Sequence, residues 1–256
     1  MLAELTAGAV ADAAAREQAL PLNRLREAAL AAPPALDVRA ALAPRDSVHV
    51  IAEIKRASPS RGDLAELTDP AAWAKQYEAG GASVISVLTE GRRFKGSLDD
   101  LRAVKAAVSI PVLRKDFIAT EYQVYEARAA GADLVLLIVA ALDDDTLSRL
   151  FALIESLGMT ALVETHSADE LDRAVALGAW LIGVNARDLA TFELDRELFG
   201  RLRPALPAGT VAVAESAVLE PADVTRYRAA GADVVLVGEA LVTGNPVETL
   251  ESFLAA

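Results

Sequence analysis

The segment IAEIKRASPS (51–60) begins as an apolar run and ends in charged and polar residues. Such an apolar run predicts a β-strand that is buried on both faces, as in a parallel sheet covered by helices. The pattern recurs in VISVLTE (84–90), PVLRKD (111–116), ALVETH (161–166), LIGVNARD (181–188), VAVAES (211–216) and VVLVGE (234–239). Polar residues that repeatedly end buried strands predict side chains gathered at one rim of a barrel, where barrel enzymes build their active sites.

A second repeat is Gly-Ala-x followed by an apolar run, at GGASVISVL (80–88), GADLVLLIV (131–139), GAWLIGVN (178–185) and GADVVLVGE (231–239). The copies lie about fifty residues apart, which is about two βα units. Each glycine is suited to end a helix in the left-handed conformation before the next strand begins. Together with the runs between the copies, the repeat predicts eight strands, near 48–55, 83–89, 110–115, 133–139, 160–164, 180–185, 210–215 and 233–238.

Strands that alternate with helices at this spacing predict an α/β architecture. An open doubly wound sheet competes, but eight units in 256 residues, with polar groups at nearly every strand end, favour closure into a barrel. We therefore expect residues 1–256 to form a single (β/α)8 TIM barrel domain. Residues 1–45 are Ala-rich and charged, and we expect an N-terminal helical extension of one or two helices lying against the barrel.

Helix starts support the same register. Ser167 and Glu170 have the spacing of a capping box, and Ser97 precedes a segment with acidic residues in its first turn. The acidic run 143–145 is expected to open the helix that follows it, where negative charge suits the helix dipole.

Composition narrows the class of protein and its partners. The chain is 53% hydrophobic and 24% charged, which is typical of a globular protein, and it has no cysteine for disulfides or thiolate chemistry. A net charge of −12 without a basic run argues against nucleic acid as a partner. No apolar run is long enough to span a membrane and the N-terminus lacks the pattern of a signal peptide. We expect a cytoplasmic protein with no membrane partner, as a monomer or weak homodimer.

Glu53 and Lys55 lie two residues apart on the first predicted strand, so both side chains point to the same face. If that face is the barrel interior, the pair lies at the floor of the site. A structural ion pair or a surface charge pair is the alternative.

Lys115 closes the third predicted strand beside Arg114 and Asp116, and adjacent residues alternate sides, so only part of this charged cluster faces inward. Lys115 shares its face with Pro111 and Leu113. A lysine near other cations, or partly desolvated, has a lowered pKa and can act as a general acid or form a Schiff base. A solvated lysine at the rim is the alternative.

Strands five, six and seven end in candidate catalytic residues. Glu164, Asn185 with Arg187, and Glu215 with Ser216 occupy these positions. Carboxylates on several strands facing a lysine can serve as acid and base partners, because their environments set their pKa values apart. Arg187 offers a planar fork that suits a substrate carboxylate.

A phosphate site is expected after the last two strands. In many barrels these loops bind phosphate through backbone N–H groups, and here Ser216 and Gly238 with Glu239 occupy them. Gly238 allows close approach of the backbone, while Glu239 can help only through its N–H. An ordinary strand-to-helix turn is the alternative.

No metal or nucleotide cofactor is expected. The two histidines, His49 and His166, are far apart in sequence, and no phosphate-binding glycine-rich motif of a nucleotide cofactor is present. We expect His49 to pack at the start of strand one and His166 to be a loop residue and not a catalyst.

Six motifs together resemble the indole-3-glycerol phosphate synthase family, over nearly the whole chain. They are AEIKRASPSRG (52–62), FKGSLDDL (94–101), PVLRKDFI (111–118), LVETH (162–166), GVNARDL (183–189) and VAES (213–216). The resemblance implies a cofactor-free carboxy-lyase of tryptophan biosynthesis. This enzyme would convert 1-(2-carboxyphenylamino)-1-deoxyribulose 5-phosphate to indole-3-glycerol phosphate with loss of CO₂ and water.

The resemblance also implies roles for individual residues. Lys115 is similar to the family's general acid and Glu164 to its carboxylate partner. Glu53 and Lys55 resemble the pair that orients the substrate and assists decarboxylation or dehydration. The remaining matches are Asn185 and Arg187 for the anthranilate side, Glu215 for a sugar hydroxyl, Ser58, Phe94 and Phe117 for the substrate pocket, and Ser216, Ala217, Gly238 and Glu239 for the phosphate. A substrate with carboxylate and phosphate groups also explains Arg56 and Arg61 near the rim.

One position departs from the family. Ala217 stands where the family commonly has Gly, and if this residue needs a positive φ, alanine costs about 1 kcal/mol and can shift the N–H that binds phosphate. The alternative function is another phosphate-binding barrel enzyme, an aldolase with an imine on Lys115 or Lys55, or a sugar-phosphate isomerase. A non-catalytic barrel would be expected to lose its rim charges, and here they are present.

Overall fold

Eight parallel strands close into a barrel, which confirms the predicted (β/α)8 architecture. The computed structural model describes residues 1–58, 62–63, 69–188, 191 and 193–256, with the backbone alone of Ser58 and Asp63. The barrel strands are β1 (His49–Ile54), β2 (Val84–Leu88), β3 (Val112–Lys115), β4 (Leu134–Ile138), β5 (Thr160–Thr165), β6 (Leu181–Asn185), β7 (Val211–Glu215) and β8 (Val234–Val237). They differ from the predicted ranges only at their ends.

The strands follow one another around the barrel in sequence order, and β1 closes it by pairing with both β2 and β8. Strand β1 is buried along its whole length, as expected for a strand with helices outside and packed side chains inside. Because all strands are parallel, their carboxyl ends lie at the same rim. A short hairpin of Ala57–Ser58 and Gly62–Asp63 follows β1 at that rim.

Helices surround the barrel. They are α1 (Leu2–Ala19), α2 (Leu22–Ala31), α3 (Val38–Ala41), α4 (Pro70–Ala79), α5 (Leu98–Ala107), α6 (Glu121–Ala129), α7 (Asp144–Ser156), α8 (Ala168–Ala176), α9 (Leu198–Leu202), α10 (Pro221–Ala229), α11 (Glu239–Val242) and α12 (Pro246–Leu254). Short 3₁₀ turns cover Val139–Ala141 and Arg203–Ala205. As expected, Ser97 and Asp143 are N-cap residues that accept a backbone N–H in the first turns of α5 and α7.

The expected capping box at α8 is only half formed. Ser167 is the N-cap and its hydroxyl accepts the backbone N–H of Glu170 at 3.2 Å. The carboxylate of Glu170, however, accepts the backbone N–H of His166 at 2.8 Å instead of that of Ser167. Glu170 is therefore bonded to the residue that follows the carboxyl end of β5.

An apolar cluster fills the barrel interior, and alternate strands contribute residues to it at the same level. Ile51, Leu113, Leu162 and Val213, from β1, β3, β5 and β7, are fully buried members of it. Because side chains alternate along a strand, the residues two positions further on point into the same interior. A second, larger cluster fills the space between the strands and the helices.

The N-terminal extension has three helices, not the expected one or two, and it contacts both ends of the barrel. Leu5 and Ala9 of α1 join the interior cluster, and α1 contacts the turn Val139–Ala141 that follows β4. Val38 of α3 joins the same cluster from the opposite end, where β1 begins. At that end His49 is buried as predicted, with its ring nitrogens 2.8 Å from the Ser83 hydroxyl and the Ala43 carbonyl.

Buried polar contacts attach the extension to α6 and β4. The guanidinium of Arg16 donates to Glu126 at 2.8 Å, and that of Arg128 donates to the Ala32 carbonyl at 3.1 Å. Asp133, fully buried before β4, accepts the backbone N–H of Leu36 at 2.8 Å.

The Gly-Ala-Asp repeat offers a matched test of this attachment. The Asp133 carboxylate also accepts the Val112 N–H at 2.8 Å and the Lys105 ammonium at 2.6 Å. The carboxylate of the exposed Asp233 accepts only the Ala212 N–H, at 2.8 Å, among its described contacts. Asp133→Asn replaces an acceptor with a donor, so we expect it to lower the free energy of unfolding by about 3 kcal/mol. Asp233→Asn should cost less than about 1 kcal/mol. Urea unfolding followed by circular dichroism measures both, and equal losses would contradict this role for Asp133.

Candidate active site

Four charged side chains form one layer at the carboxyl rim of the barrel. Glu53, Lys115, Glu164 and Glu215 come from β1, β3, β5 and β7, each two residues beyond a member of the apolar layer below. Alternate strands contribute the side chains of one layer in such barrels. Closure of the sheet therefore brings together residues that are far apart in sequence.

Lys115 is at the centre of this layer. Its Nζ lies 3.2 Å from Glu164 Oε2 and 3.4 Å from Glu215 Oε2. Its side chain is 16% exposed, while both carboxylates are 1% exposed, so the contact is shielded from solvent and open only on the lysine side. Of the charged residues 114–116, Lys115 is the one that faces the barrel interior.

The neighbours of Lys115 point the other way. The fully buried Arg114 donates to the Thr89 hydroxyl at 3.1 Å, to the Gln123 carbonyl at 2.7 Å and to Asp116 at 3.0 Å. This network holds the end of β3 against α6. Arg56 likewise turns to Asp100 of α5, with Nη2 and Oδ1 3.0 Å apart.

Glu164 is held on both of its oxygens. Oε2 faces Lys115, and Oε1 accepts the Asn185 side-chain N–H at 3.1 Å. The imidazole of His166 lies against the same Oε1, at 3.2 Å from Nε2. Sequence reasoning treated His166 as a loop residue; it does lie in the loop after β5, but it contacts the buried carboxylate.

Asn185 connects the ends of β6 and β7. Its Oδ1 accepts the Ser216 hydroxyl at 2.7 Å and the backbone N–H of Arg187 at 3.0 Å. These two bonds orient the amide so that its N–H group faces Glu164. Arg187 forms an antiparallel bridge with Leu194 and is half-buried beside the rim.

Glu53 and Lys55 pair as predicted, with Nζ and Oε1 2.7 Å apart. A methyl group at Gly238 would lie 2.8 Å from Glu53 Oε1 and 3.1 Å from Lys55 Nζ. The glycine therefore leaves room for this ion pair. Glu239 follows as the first residue of α11.

The ionisable groups of this layer have different pKa shifts because their neighbours differ. Burial alone would lower the pKa of Lys115, but the carboxylates of Glu164, Glu215 and Glu53 outweigh it and raise that pKa above its usual range. Burial and the neighbouring carboxylate of Glu164 raise the pKa of Glu215 to about 8, against the opposing effect of Lys115. Burial would also raise the pKa of Glu164, but Lys115, His166 and Asn185 hold it well below its usual range. The directions of these shifts favour a cationic Lys115, an ionised Glu164 and a protonated Glu215.

Aromatic residues line one side of the rim. The rings of Phe94 and Phe117 lie 6.1 Å apart, and Phe94 packs against the interior cluster that contains Leu5 of α1. The carboxylate of Glu90 holds the Phe94 loop by accepting three consecutive backbone N–H groups, from residues 92 to 94, at 2.7 to 2.9 Å. This wall is apolar and suits an aromatic ring.

The turn after β7 has an unusual backbone conformation. Ser216 and Ala217 have φ values of 69° and 59°, both in the left-handed region. The sequence had left the sign of φ at Ala217 open; it is positive, so alanine is strained at this position.

Part of the predicted site is outside the described residues. The side chain of Ser58 and residues 59–61, including Arg61, belong to this part. Within the described chain, no group of three His, Asp or Glu side chains has the arrangement of metal ligands. None of the described helices has the length and apolar character needed to span a bilayer.

Two residues of the site were missed by sequence reasoning. Glu90 is the last residue of the segment VISVLTE (84–90). Its role in holding a loop depends on backbone N–H groups that only the fold brings close to its carboxylate. Gly183 lies inside β6, and a Cβ there would be 2.1 Å from Glu215 Oε1. An isolated glycine in a strand pattern indicates close approach of another group, so this signal was available.

A closed barrel with lysines and carboxylates gathered at its carboxyl rim is typical of the (β/α)8 class of enzymes. The family model described as indole-3-glycerol phosphate synthase matches residues 2–251. The chain belongs to the indole-3-glycerol phosphate synthase family, as its motifs had indicated.

Curated relatives carry the same family name. An indole-3-glycerol phosphate synthase from Leifsonia xyli is 66% identical over 253 residues, covering 99% of this chain and 97% of the relative. Those of Mycobacteroides abscessus and Mycolicibacterium smegmatis are 61% and 58% identical, covering 93% and 100% of this chain and 88% and 94% of their own lengths.

Solved structures with low sequence identity share the fold. A thiamine phosphate pyrophosphorylase from Pyrococcus furiosus has a TM-score of 0.61 at 13% identity and covers 85% of this chain and 96% of its own. An N-acetylmannosamine-6-phosphate 2-epimerase from Clostridium perfringens has a TM-score of 0.58 at 16% identity, covering 76% and 86%. These similarities support the barrel architecture alone.

Gly183→Ala tests the space that Glu215 needs. The added methyl group must displace the Glu215 carboxyl group from Lys115, so we expect kcat to fall roughly 100-fold. Gly200→Ala in α9, where a Cβ meets its nearest neighbour at 3.7 Å, is the control and should keep full activity. Steady-state kinetics compare the two variants, and near-normal turnover of Gly183→Ala would contradict the packing described here.

Ala217→Gly tests the strain after β7. Glycine adopts a positive φ at no steric cost, so we expect the free energy of unfolding to rise by about 1 kcal/mol. Ala214→Gly, inside β7, should instead lower it by about 1 kcal/mol, because glycine is unfavourable within a strand. Urea unfolding gives both values, and effects of the same sign would be inconsistent with strain at Ala217.

Proposed function

We propose that this chain catalyses the reaction of its family: ring closure of 1-(2-carboxyphenylamino)-1-deoxyribulose 5-phosphate, with loss of CO₂ and water, to give indole-3-glycerol phosphate. The observation that carries the proposal is the position of Lys115 between Glu164 and Glu215 in one shielded layer. Every step of this reaction moves a proton or releases a neutral molecule, so positioned acids and bases are sufficient.

Lys115 is the general acid of ring closure. The ring carbon that bears the carboxylate attacks the ketone carbon, and the ketone oxygen takes a proton from the Lys115 ammonium as its double bond opens. The raised pKa of Lys115 keeps this group protonated at the start of the reaction, as an acid requires. Its partly exposed Nζ is the member of the layer that faces the cavity.

Loss of CO₂ follows, because the electrons of the ring–carboxylate bond restore the aromatic ring. We assign Glu53 and Lys55 to this stage or to the later dehydration, where a paired ammonium can orient the substrate without leaving Glu53 as an unpaired buried charge.

Dehydration needs acid and base together. The hydroxyl group leaves as water with a proton from an ammonium group, while a base removes a proton from the neighbouring carbon to complete the indole. Glu164 is the base, because Lys115, His166 and Asn185 keep it ionised at neutral pH. An ionised Glu164 also stabilises the positive charge of the ring-closed intermediate.

Glu215 and Asn185 bind and orient the substrate. Among the described residues, no group donates a hydrogen bond to either buried oxygen of Glu215, so a sugar hydroxyl of the substrate is a suitable partner. Asn185 and Arg187 lie beside the anthranilate ring, whose apolar face Phe94 and Phe117 cover.

The phosphate is held after β7 and β8. The hydroxyl of Ser216 is donated to Asn185, so the backbone N–H groups of Ser216, Ala217, Gly238 and Glu239 are the donors that we assign to the phosphate. We also assign Ser58 to the substrate pocket, because it lies in the motif AEIKRASPSRG (52–62).

The chain's composition supports further proposals about where and with what it works. Net charge −12 and the absence of cysteine support a cytoplasmic enzyme that acts without nucleic acid. We propose that it works as a monomer or a weak homodimer.

Lys115→Ala and Glu164→Gln test the acid and base assignments. Each variant should lose at least about 10³-fold in turnover, since a positioned acid or base contributes that order of rate. Product formation is followed by indole fluorescence after addition of the carboxyphenylamino-deoxyribulose phosphate. The exposed variants Lys75→Ala and Glu155→Gln are matched controls that should keep full activity.

Binding is measured separately with a substrate whose ketone has been reduced to an alcohol, which cannot cyclise. Calorimetric titration should show this compound binding within about tenfold of wild-type affinity, because the phosphate contacts are retained. Near-normal turnover of either variant would mean that the acid and base are assigned wrongly.

A further inference from the structure

His166 lies between two carboxylates. It follows β5, its side chain is 10% exposed, and Nε2 is 3.2 Å from Glu164 Oε1. On the opposite side of the ring, Nδ1 is 3.1 Å from Glu170 Oε2. The imidazole thus joins the buried catalytic layer to the first turn of α8.

The chemistry of this contact decides the charge of the ring. An ionised carboxylate can only accept hydrogen bonds, so a ring nitrogen that faces one must carry a proton. Nε2 lies at ion-pair distance from Glu164 without hydrogen-bond geometry, so charge, and not a hydrogen bond, links these two groups. A carboxylate on each side favours a proton on both nitrogens, which makes the ring an imidazolium. The same two carboxylates outweigh the effect of burial and raise the pKa of His166 to about 10.

Glu170 is fixed independently of the imidazole. Its Oε2 also accepts the His166 backbone N–H at 2.8 Å, and its own N–H donates to the Ser167 hydroxyl. Its place in the first turn of α8 favours negative charge there. Glu170 is thereby a stable anchor for the outer nitrogen of His166.

The charged groups that act on His166 are Glu164 of β5 and Glu170 of α8. Lys115 lies on the far oxygen of Glu164, and Asn185 donates to the same oxygen that His166 contacts. Glu164 therefore has a cation at each oxygen, while Glu215 has Lys115 alone.

We propose that His166 is a positioning residue of this reaction: as an imidazolium anchored by Glu170, it keeps Glu164 ionised and its second oxygen directed at Lys115. The effect of His166 on kcat rests on the proposed function, whereas the charge of His166 can be measured without substrate. Its role goes beyond that of the neighbouring Asn185, since an amide orients a carboxylate without supplying a full charge.

Removal of the cation should appear as a pH effect. In His166→Asn, Glu164 keeps a neutral neighbour of similar polarity but loses the adjacent charge, so its pKa rises. An adjacent opposite charge is worth roughly 1 to 3 pKa units, so the acidic limb of the kcat profile should move up by about one unit or more. At pH 7 Glu164 stays ionised despite the raised pKa, so the loss of kcat there measures the orientation of its carboxylate. We expect kcat to fall about tenfold with KM nearly unchanged.

Variants in α8 supply the matched controls. Glu170→Gln removes the anchor but leaves His166 in place, so it should shift the acidic limb in the same direction by a smaller amount. Asp169→Asn removes the same charge from the same helical turn at an exposed position, and it should leave the profile unchanged.

The charge itself is read by NMR, since the chain has only two histidines. His49→Asn assigns the two imidazole signals of the protein labelled with ¹⁵N. Both ring nitrogens of His166 should remain protonated from pH 6 to pH 8, whereas a signal that titrates near the ordinary histidine pKa of about 6.5 would overturn the proposal. An unshifted kcat profile in His166→Asn would also overturn it. If the wild type does not form the indole product but His166 stays protonated, the proposed function fails and the assignment of the imidazolium stands.

Discussion

The ammonium group of Lys115 lies between two carboxylates at the closed rim of the barrel, and the remaining parts of the site depend on this contact. An unpaired charge at this depth would be costly, so an ionised Glu164 could not be buried there without a cation. The apolar layer directly below, with Ile51 and Leu113, excludes water from the contact and strengthens it.

Glu164 and Glu215 share one ammonium group, and their other neighbours determine which of the two holds a proton. Glu53 has Lys55 beside it, Glu164 has Lys115 and His166, and Glu215 shares Lys115 with its neighbour. Glu215 is therefore the carboxyl group that remains protonated, and the pair Glu164 and Glu215 can supply a base and a hydrogen-bond donor at the same pH.

The fold was largely predictable because its determinants are local. Apolar runs of strand length, glycine at helix ends and N-cap residues such as Ser97 are properties of neighbouring residues, and they located all eight strands. Predictions from local patterns were less reliable where a side chain has more than one possible hydrogen-bond partner. Glu170 has capping-box spacing, yet it bonds His166, and the extension has a third helix, α3 (Val38–Ala41), in a segment between prolines.

The sequence by itself determined which residues share a face of each strand, because side chains alternate along it. The closed barrel decided that the face with Lys115 and Glu164 is the inner one. The sequence could not determine what those side chains meet, because the distances between β1, β3, β5 and β7 arise only when the sheet closes. Tertiary structure alone decided that Gly183 and Gly238 make room for buried carboxylates, and that His166 contacts Glu164. These are contacts between residues of different strands and helices, and a pattern of neighbouring residues does not contain them.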